Sequence, residues 1–369
     1  MSESRKFIFQ NRMGNRLFAN FGGEKMKRRF WSLFVILVLS LAFMSVDSAS
    51  VFAQGKSFKW RMQSVDDAGL MEYKMIPVAF ADRVRQLSNG RLDIKVFPPG
   101  GLVPSFEVWD AMRKGVFEMT QHYLVYWSGK EPGFKAAQEW PACNDPLQGL
   151  IWIYHGGGME ISNKMTEKYG IRYIGATPME REHIWSKKPI KGVADLKGTK
   201  MRAAGVAADS FALLGASVVT VPGGEIYQAL ERGVIDACEF TFPTVNYAYG
   251  FHEVTKYITM PTYSGGGWYD WLVNAKAWQE LPDDLKLVVD VAIKETTLMY
   301  WAKVRVETEV VLDKLKKRGM TFITWTPEDM AKLEKARYQT MQKYAEASPL
   351  YAEKFKSMME LAEKIGYKP

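Results

Sequence analysis

Between residues 200 and 240 the chain alternates apolar runs with helix-forming segments so closely that few folds can hold it: KMRAAGVAADSFALLGASVVTVPGGEIYQALERGVIDACEF. The spacing predicts a strand ending at Met201 and Arg202, a helix over 208–214 and a β-rich run at 218–221. A second helix over 225–232 and a buried strand over 234–240 follow. Short apolar runs separated by helices make a parallel sheet with crossover helices, because parallel neighbours cannot be joined by a tight turn. Ligands of such open sheets bind beyond the carboxyl ends of the strands. Arg202 stands at one of these ends, just before a turn of small residues, and Glu239 and Phe240 end another strand at the same edge. Position alone leaves Arg202 equally a ligand-facing cation or half of a surface ion pair.

The same alternation runs upstream. FKWRMQ at 58–63 and RLDIKVF at 91–97 read as strands flanking a helix over 68–88, and a helix over 106–114 leads to a strand at 116–120. WDAMRKGVFEM, from Trp109, and YQALERGVIDA, from Tyr227, share an aromatic start, an Ala, a basic residue, Gly-Val and an acid. In both, the Gly should end a helix and the Val should open a buried strand. Such a unit recurring 118 positions apart points to two similarly built α/β lobes. The expected partition is 54–170 as lobe I, with 241–275 returning to it. Lobe II is expected over 171–240, completed by 276–369. A long amphipathic helix is predicted over 283–318, with Leu285, Val288, Val289, Ala292, Thr296 and Met299 at helical spacing, and a further helix over 327–347. No low-complexity linker interrupts the chain, so the lobes should be intertwined, and lobes joined by strands close on a ligand by hinge motion.

Charge first suggests a polyanionic partner, since the net charge is +8. Its location argues otherwise. Residues 1–53 hold eight Lys/Arg against three Asp/Glu, about +5 of the total, and the rest of the chain is nearly balanced. Nucleic-acid binding loses its main support. Within that segment KMKRR at 25–29 precedes an apolar run over 30–44 and small residues ending in Val51-Phe52-Ala53, the order of a secretory signal peptide. Residues 1–25 lack this logic, and Met26 reads as the natural start. The mature chain is expected in the periplasm, beginning near Gln54; an intact N-terminus in the mass spectrum of the periplasmic fraction would contradict this. The two cysteines, Cys143 and Cys238, are expected to be buried, unpaired thiols, because a large domain does not need a staple.

The sequence announces no catalytic centre. His155-Gly156-Gly157-Gly158 matches a lipase oxyanion motif, but no G-x-S-x-G elbow accompanies it, so these read as helix-entry glycines. C-x-x-C and H-E-x-x-H do not occur, and the four His are scattered. What the chain does offer is a planar guanidinium fork at Arg202, matched to a carboxylate. Aromatic residues are placed to line a cleft: Tyr126 after the third strand and Trp268 in a Gly-rich turn. Gln121 leaves the same strand end as Tyr126.

KMR at 200–202, PGGEIYQALERGVIDACEF at 222–240, GRLDIKVFPPGG at 90–101 and LPDDL at 281–285 together resemble the solute-binding proteins of tripartite ATP-independent periplasmic (TRAP) transporters. YWSGK at 126–130 and YHGGGMEI at 154–161 bring the chain nearest to the branch binding 2-oxo and 2-hydroxy acids. The resemblance implies an α/β, two-lobed periplasmic-binding-protein fold with intertwined lobes, hinge strands and a long C-terminal helical region. It implies a small organic acid as ligand, TRAP membrane subunits as partners, a monomer or homodimer, and no enzymatic turnover. A periplasmic enzyme acting on an organic acid, and an ABC-type or sensor binding protein, are the alternatives. Arg202 becomes the carboxylate clamp and Arg181, in MEREH, a second ligand contact. Glu239, the Phe240 carbonyl and an amide side chain are the oxygen donors that in the oxo-acid branch hold a sodium or calcium ion. Here a basic cluster around Arg181 stands near the amide position, and Ser264 lies where a second acid would help. The expectation is therefore that Arg181 replaces the cation and that no ion is required.

Overall fold

The computed structural model describes residues 55–139, 145–262 and 266–366. The leader segment, Cys143 and Ser264 lie outside the described residues. The chain divides after Lys56, and the features below all belong to the unit that begins at Ser57.

Eleven strands form two sheets among the described residues. The first has the order β2-β1-β3-β10-β4, with β1 Phe58–Ser64, β2 Leu92–Phe97, β3 Met119–His122, β4 Ile171–Pro178 and β10 Trp268–Asn274. The second has the order β11-β9-β5-β8-β6-β7: β5 Ile184–Ser186, β6 Lys200–Arg202, β7 Ser217–Val219, β8 Ala237–Glu239, β9 Tyr257–Met260 and β11 Thr321–Thr324. β1 shows why the pattern was readable: Phe58, Trp60 and Met62 are buried while Lys59 and Arg61 face out, as a period of two requires.

Both sheets are covered on both faces. In β5, Ile184 enters one apolar core and Trp185 the other; in β8, Ala237 and Cys238 divide in the same way. Cys238 is a free, buried thiol, its pKa pushed up by that burial. The helix Asp283–Lys317 gives Leu285, Val289, Ala292, Ile293, Tyr300 and Val304 to the core of the first sheet, and Val311 and Leu315 to that of the second. It therefore ties the sheets together, as do residues 179–183 between β4 and β5. Helix Pro327–Ala347 packs on Gly205–Leu213, while Pro349–Lys364 buries Met358 and Ala362 under the first sheet. Among the described residues no helix is long and apolar enough to cross a membrane.

Three expectations need correction. β4 belongs to the first sheet and β9 to the second, and residues 276–366 serve both, so the expected partition at 171, 241 and 276 does not follow the sheets. Apolar runs reveal strands but not which sheet pairs them. The repeat is real in its geometry: Gly115 and Gly233 both end helices at φ 74° and 72°. Val116 and Val234, however, are 46% and 60% exposed, and the strands start further on, at Met119 and Ala237. Met299 is 60% exposed, and its neighbour Tyr300 takes the core position. The segment Met71–Leu87 is helical as expected but widens into a π turn over Lys74–Val78, since Pro77 supplies no N–H there. His155-Gly156-Gly157-Gly158 forms a corner between two helices. Gly157 sits at φ 85°, and a Cβ on Gly158 would come within 2.6 Å of the Ile153 backbone.

Two acids sit deep beside the first sheet. Asp66 accepts hydrogen bonds from Gln121 (3.1 Å) and Tyr269 (3.3 Å), and Glu72 accepts one from Thr244 (3.0 Å). Burial, and then the charge of Glu72, push the Asp66 carboxyl up to about 8; burial pushes Glu72 up to about 7. Both groups hold protons in the folded state that an unfolded chain has lost, so their contribution to stability is complete below about pH 4 and falls as pH rises toward 8. His122, His183 and Lys354, pulled down by burial, act in the opposite sense. The readout is therefore the difference between wild type and Asp66→Asn in urea unfolding at pH 5 and pH 8. Wild type should lose more stability over this interval, by at most about 1.4 kcal/mol per pH unit. Parallel loss in the two proteins would mean that Asp66 is ionised in the fold.

Candidate functional site

The site begins with register. β6 lies between β7 and β8 with Arg202 opposite Val219 on one side and Cys238 on the other, so Arg202 and Glu239 emerge at the same carboxyl edge. The Arg202 side chain is 2% exposed. Its Nε donates to the Val221 carbonyl (3.2 Å) and its Nη1 to the Glu239 carbonyl (2.8 Å), with the Glu239 carboxylate 3.6 Å away. The guanidinium also lies over the Phe240 ring, 4.9 Å from its centroid. Two edges of the fork are thus fixed, while Nη2 has no acceptor among the described residues. Such pre-organisation keeps the ordering cost of binding an anion low. Gly223 is required beneath the ring, since a Cβ there would stand 2.2 Å from the Phe240 Cζ.

A cavity of about 70 Å³ adjoins this edge, roughly half of one that takes a benzene ring. A molecule of a few heavy atoms fits; a sugar does not. Tyr123 and Tyr126 reach it from the loop after β3, Met179 and Glu182 from the connection between the sheets, and Ala204, Gly205 and Thr241 from beyond β6 and β8. Lys135, Gln138, Glu139 and Gly267 complete the wall. Tyr126 bridges the sheets: its phenol faces the Gly223 backbone and lies in the field of Arg202, while burial, the largest effect, pushes its pKa up. Lys135 is paired with Asp209 (3.0 Å) and Glu139 with Arg337 (2.9 Å). Gly205, at φ 58°, lets the chain pass where a Cβ would meet the Lys135 carbonyl at 2.5 Å.

Of the residues singled out from sequence, Arg202, Glu239, Phe240 and Tyr126 border this cavity together. Three others are placed elsewhere. Gln121 is buried behind it, bonded to Ser64 (2.8 Å) and Asp66. Trp268 turns to the opposite face of β10, where its ring packs on Trp152 and Lys354 and its Nε1 donates to Asp270 (3.1 Å). Arg181 is exposed and outside the lining. Its neighbour Glu180 points away to Arg305 (2.6 Å), and Glu182 faces the cavity instead. The turn of the backbone along 179–183 decided this, and a choice made on charge alone missed it. Gln138 was also missed; no motif marks it, because its place depends on Asp270, to which its amide donates.

Arg181 therefore cannot supply the expected counter-charge in this geometry. The described lining carries Arg202 and Lys135 against Glu139, Glu182 and Glu239, so among the described residues an acid entering meets no excess of positive charge. Carboxylate and amide oxygens from Glu182, Glu239 and Gln138 on one small cavity are the donor type of a hard cation. Among the described residues no group of three or more His, Cys, Asp and Glu could hold a metal ion; carbonyl oxygens and the acid itself would have to complete a coordination sphere.

The profile of the bacterial extracellular solute-binding protein family 7 (DctP) matches residues 64–347. The chain belongs to this family. Within it, the chain is 29% identical over 326 residues to a monocarboxylate 2-oxoacid-binding periplasmic protein of Nostoc sp., covering 86% of this chain and 88% of that one. Two crystal structures of TRAP periplasmic solute-binding proteins superpose with a TM-score of 0.78 each, covering 84% of this chain and 95% of theirs. One, from Colwellia psychrerythraea and 29% identical, holds calcium and pyruvate; the other, from Pseudoalteromonas atlantica and 28% identical, holds sodium and pyruvate. The family's members matched here are solute receptors, and the mixed α/β fold with two sheets and a long helix is theirs.

Proposed function

We propose that this protein is the periplasmic receptor of a TRAP transporter, closing on one small monocarboxylic 2-oxo or 2-hydroxy acid and presenting it to the membrane subunits. The observation that carries the reading is the buried Arg202 guanidinium, oriented by Val221 and Glu239, with a hydrogen-bonding edge that the described protein does not use. The small cavity beside it suits the carboxylate end of such an acid and the few atoms next to it. Relatives that hold pyruvate support the same class. The N-terminal leader favours the periplasm. Ligand binding favours the closed arrangement by its differential affinity for it. A thermal-shift screen of mono- and dicarboxylates tests the reading: a cognate acid at 100 times its dissociation constant adds about 2.7 kcal/mol, and no shift with any short monocarboxylate would refute it.

The charge balance of the wall extends the proposal to a sodium or calcium ion bound with the acid, drawing on Glu239 and Glu182. In choline buffer with a chelator, calorimetry should show the acid bound at least tenfold more weakly, with rescue by sodium or calcium. Unchanged affinity would mean that Arg202 alone balances the ligand.

A further inference from the structure

Tyr126 and Phe240 wall the Arg202 cavity on one side and face other space beyond it. That space is a second chamber of about 140 Å³, and Tyr123, Tyr126, Phe240 and Thr241 border both. Beyond them the walls change chemistry: Asp66, Asp67 and Glu225 contribute carboxyl groups, and the described lining holds no Lys or Arg. Among the described residues the Asp67 carboxylate takes one hydrogen bond, from the Tyr249 hydroxyl (2.6 Å) to Oδ2. Thr241 is 3% exposed, and its hydroxyl has no partner among the described residues. A buried hydroxyl left unpaired is costly. The chamber leads outward past Pro99, Ser105 and Pro222 to a wider space at the surface.

We infer that this chamber is a tail subsite of the same cleft: it takes the distal end of an acid whose carboxylate head sits at Arg202 and whose tail carries an amine. The inference rests on the acid-receptor reading above. The carboxylates of Asp67 and Glu225 repel a second carboxylate, so dicarboxylates are rejected at this end. A methyl-ended tail would take water from Asp67 and return no donor, whereas an ammonium supplies donors to Asp67 and Thr241 together. Tyr126 and Phe240, between the two chambers, would flank the apolar middle of the chain.

Calorimetry with lactate, 2-hydroxyhexanoate, 2-hydroxyadipate and 6-amino-2-hydroxyhexanoate tests this, on wild type, Asp67→Asn and Glu225→Gln. Wild type should bind the amino-ended acid at least tenfold more tightly than the methyl-ended one, and the adipate more weakly than either. In Asp67→Asn the amino-to-methyl ratio should fall to within about threefold of unity; Glu225→Gln should lower it less, since Glu225 lies at the exposed rim. Circular dichroism checks that each variant is folded. Wild type that binds lactate but shows no preference for the amine, or an Asp67→Asn protein that keeps the preference, overturns the subsite and leaves the receptor reading intact. Wild type that binds none of the four acids and no short 2-oxo acid such as pyruvate overturns both.

Discussion

Replacing Arg202 by alanine should weaken binding of the cognate acid by roughly 30-fold to several-thousand-fold. Removing one partner of a buried, hydrogen-bonded charge pair costs about 2–5 kcal/mol, at about 1.4 kcal/mol per decade of affinity. Here the loss has two parts: the acid loses its fork, and Glu239, whose carbonyl and carboxylate both face the guanidinium, is left beside an anion. Arg202→Lys should recover only part of the affinity, because an ammonium keeps the charge but cannot present a planar pair of donors or lie flat on Phe240. A folded alanine variant that binds within about threefold of wild type would move the clamp elsewhere.

The second large effect concerns the support of the cavity wall. Asp270 is fully buried in β10 and accepts hydrogen bonds from the Leu124 backbone (3.0 Å), Trp268 and Gln138. It thereby holds both the loop carrying Tyr126 and the amide that faces the ligand. Lys354, 1% exposed on the C-terminal helix, donates to the Ala137 carbonyl and lies over the Trp152 and Trp268 rings at 4.9 and 5.2 Å. Burial drives the Asp270 pKa up and the Lys354 pKa down, and each charge partly offsets the other's cost. Lys354→Ala leaves a cavity between two indoles and removes that compensation, so a loss of about 2–5 kcal/mol in urea unfolding is expected. Lys354→Met, which refills the space and carries no buried charge, should recover more than half. A methionine variant as unstable as the alanine one would show that the charge, and not the packing, holds this region.

The parts of the site legible in the sequence were those fixed by strand ends. Arg202, Glu239 and Phe240 follow directly from where β6 and β8 stop, because adjacent strands in a parallel sheet bring their carboxyl ends to one edge. Tyr126 followed from the end of β3 in the same way. What was not legible depends on side-chain direction within irregular segments. Glu182 and Arg181 are neighbours, and only the turn of the backbone between the sheets decides which faces the cavity. Trp268 looked like a cleft residue because Gly-rich turns often carry them, yet β10 is covered on both faces and the parity of the strand sends the ring into the core. Gln138 owes its place to a buried carboxylate 132 positions away, a relation no local pattern encodes. The fold shows the same division: strands and the long helix were readable from periodicity, but the assignment of β4 and β9 to sheets was not.

The central claim is that one small acid is held at Arg202 and released unchanged. Carbon-13 NMR of the labelled acid selected by the thermal-shift screen, titrated with the mature protein, tests it most directly. One bound resonance is expected that saturates at a single acid per chain, is lost in Arg202→Ala, and returns quantitatively to the free position when the protein is unfolded. Resonances of a new product, or a bound signal that persists undiminished in Arg202→Ala, would contradict it.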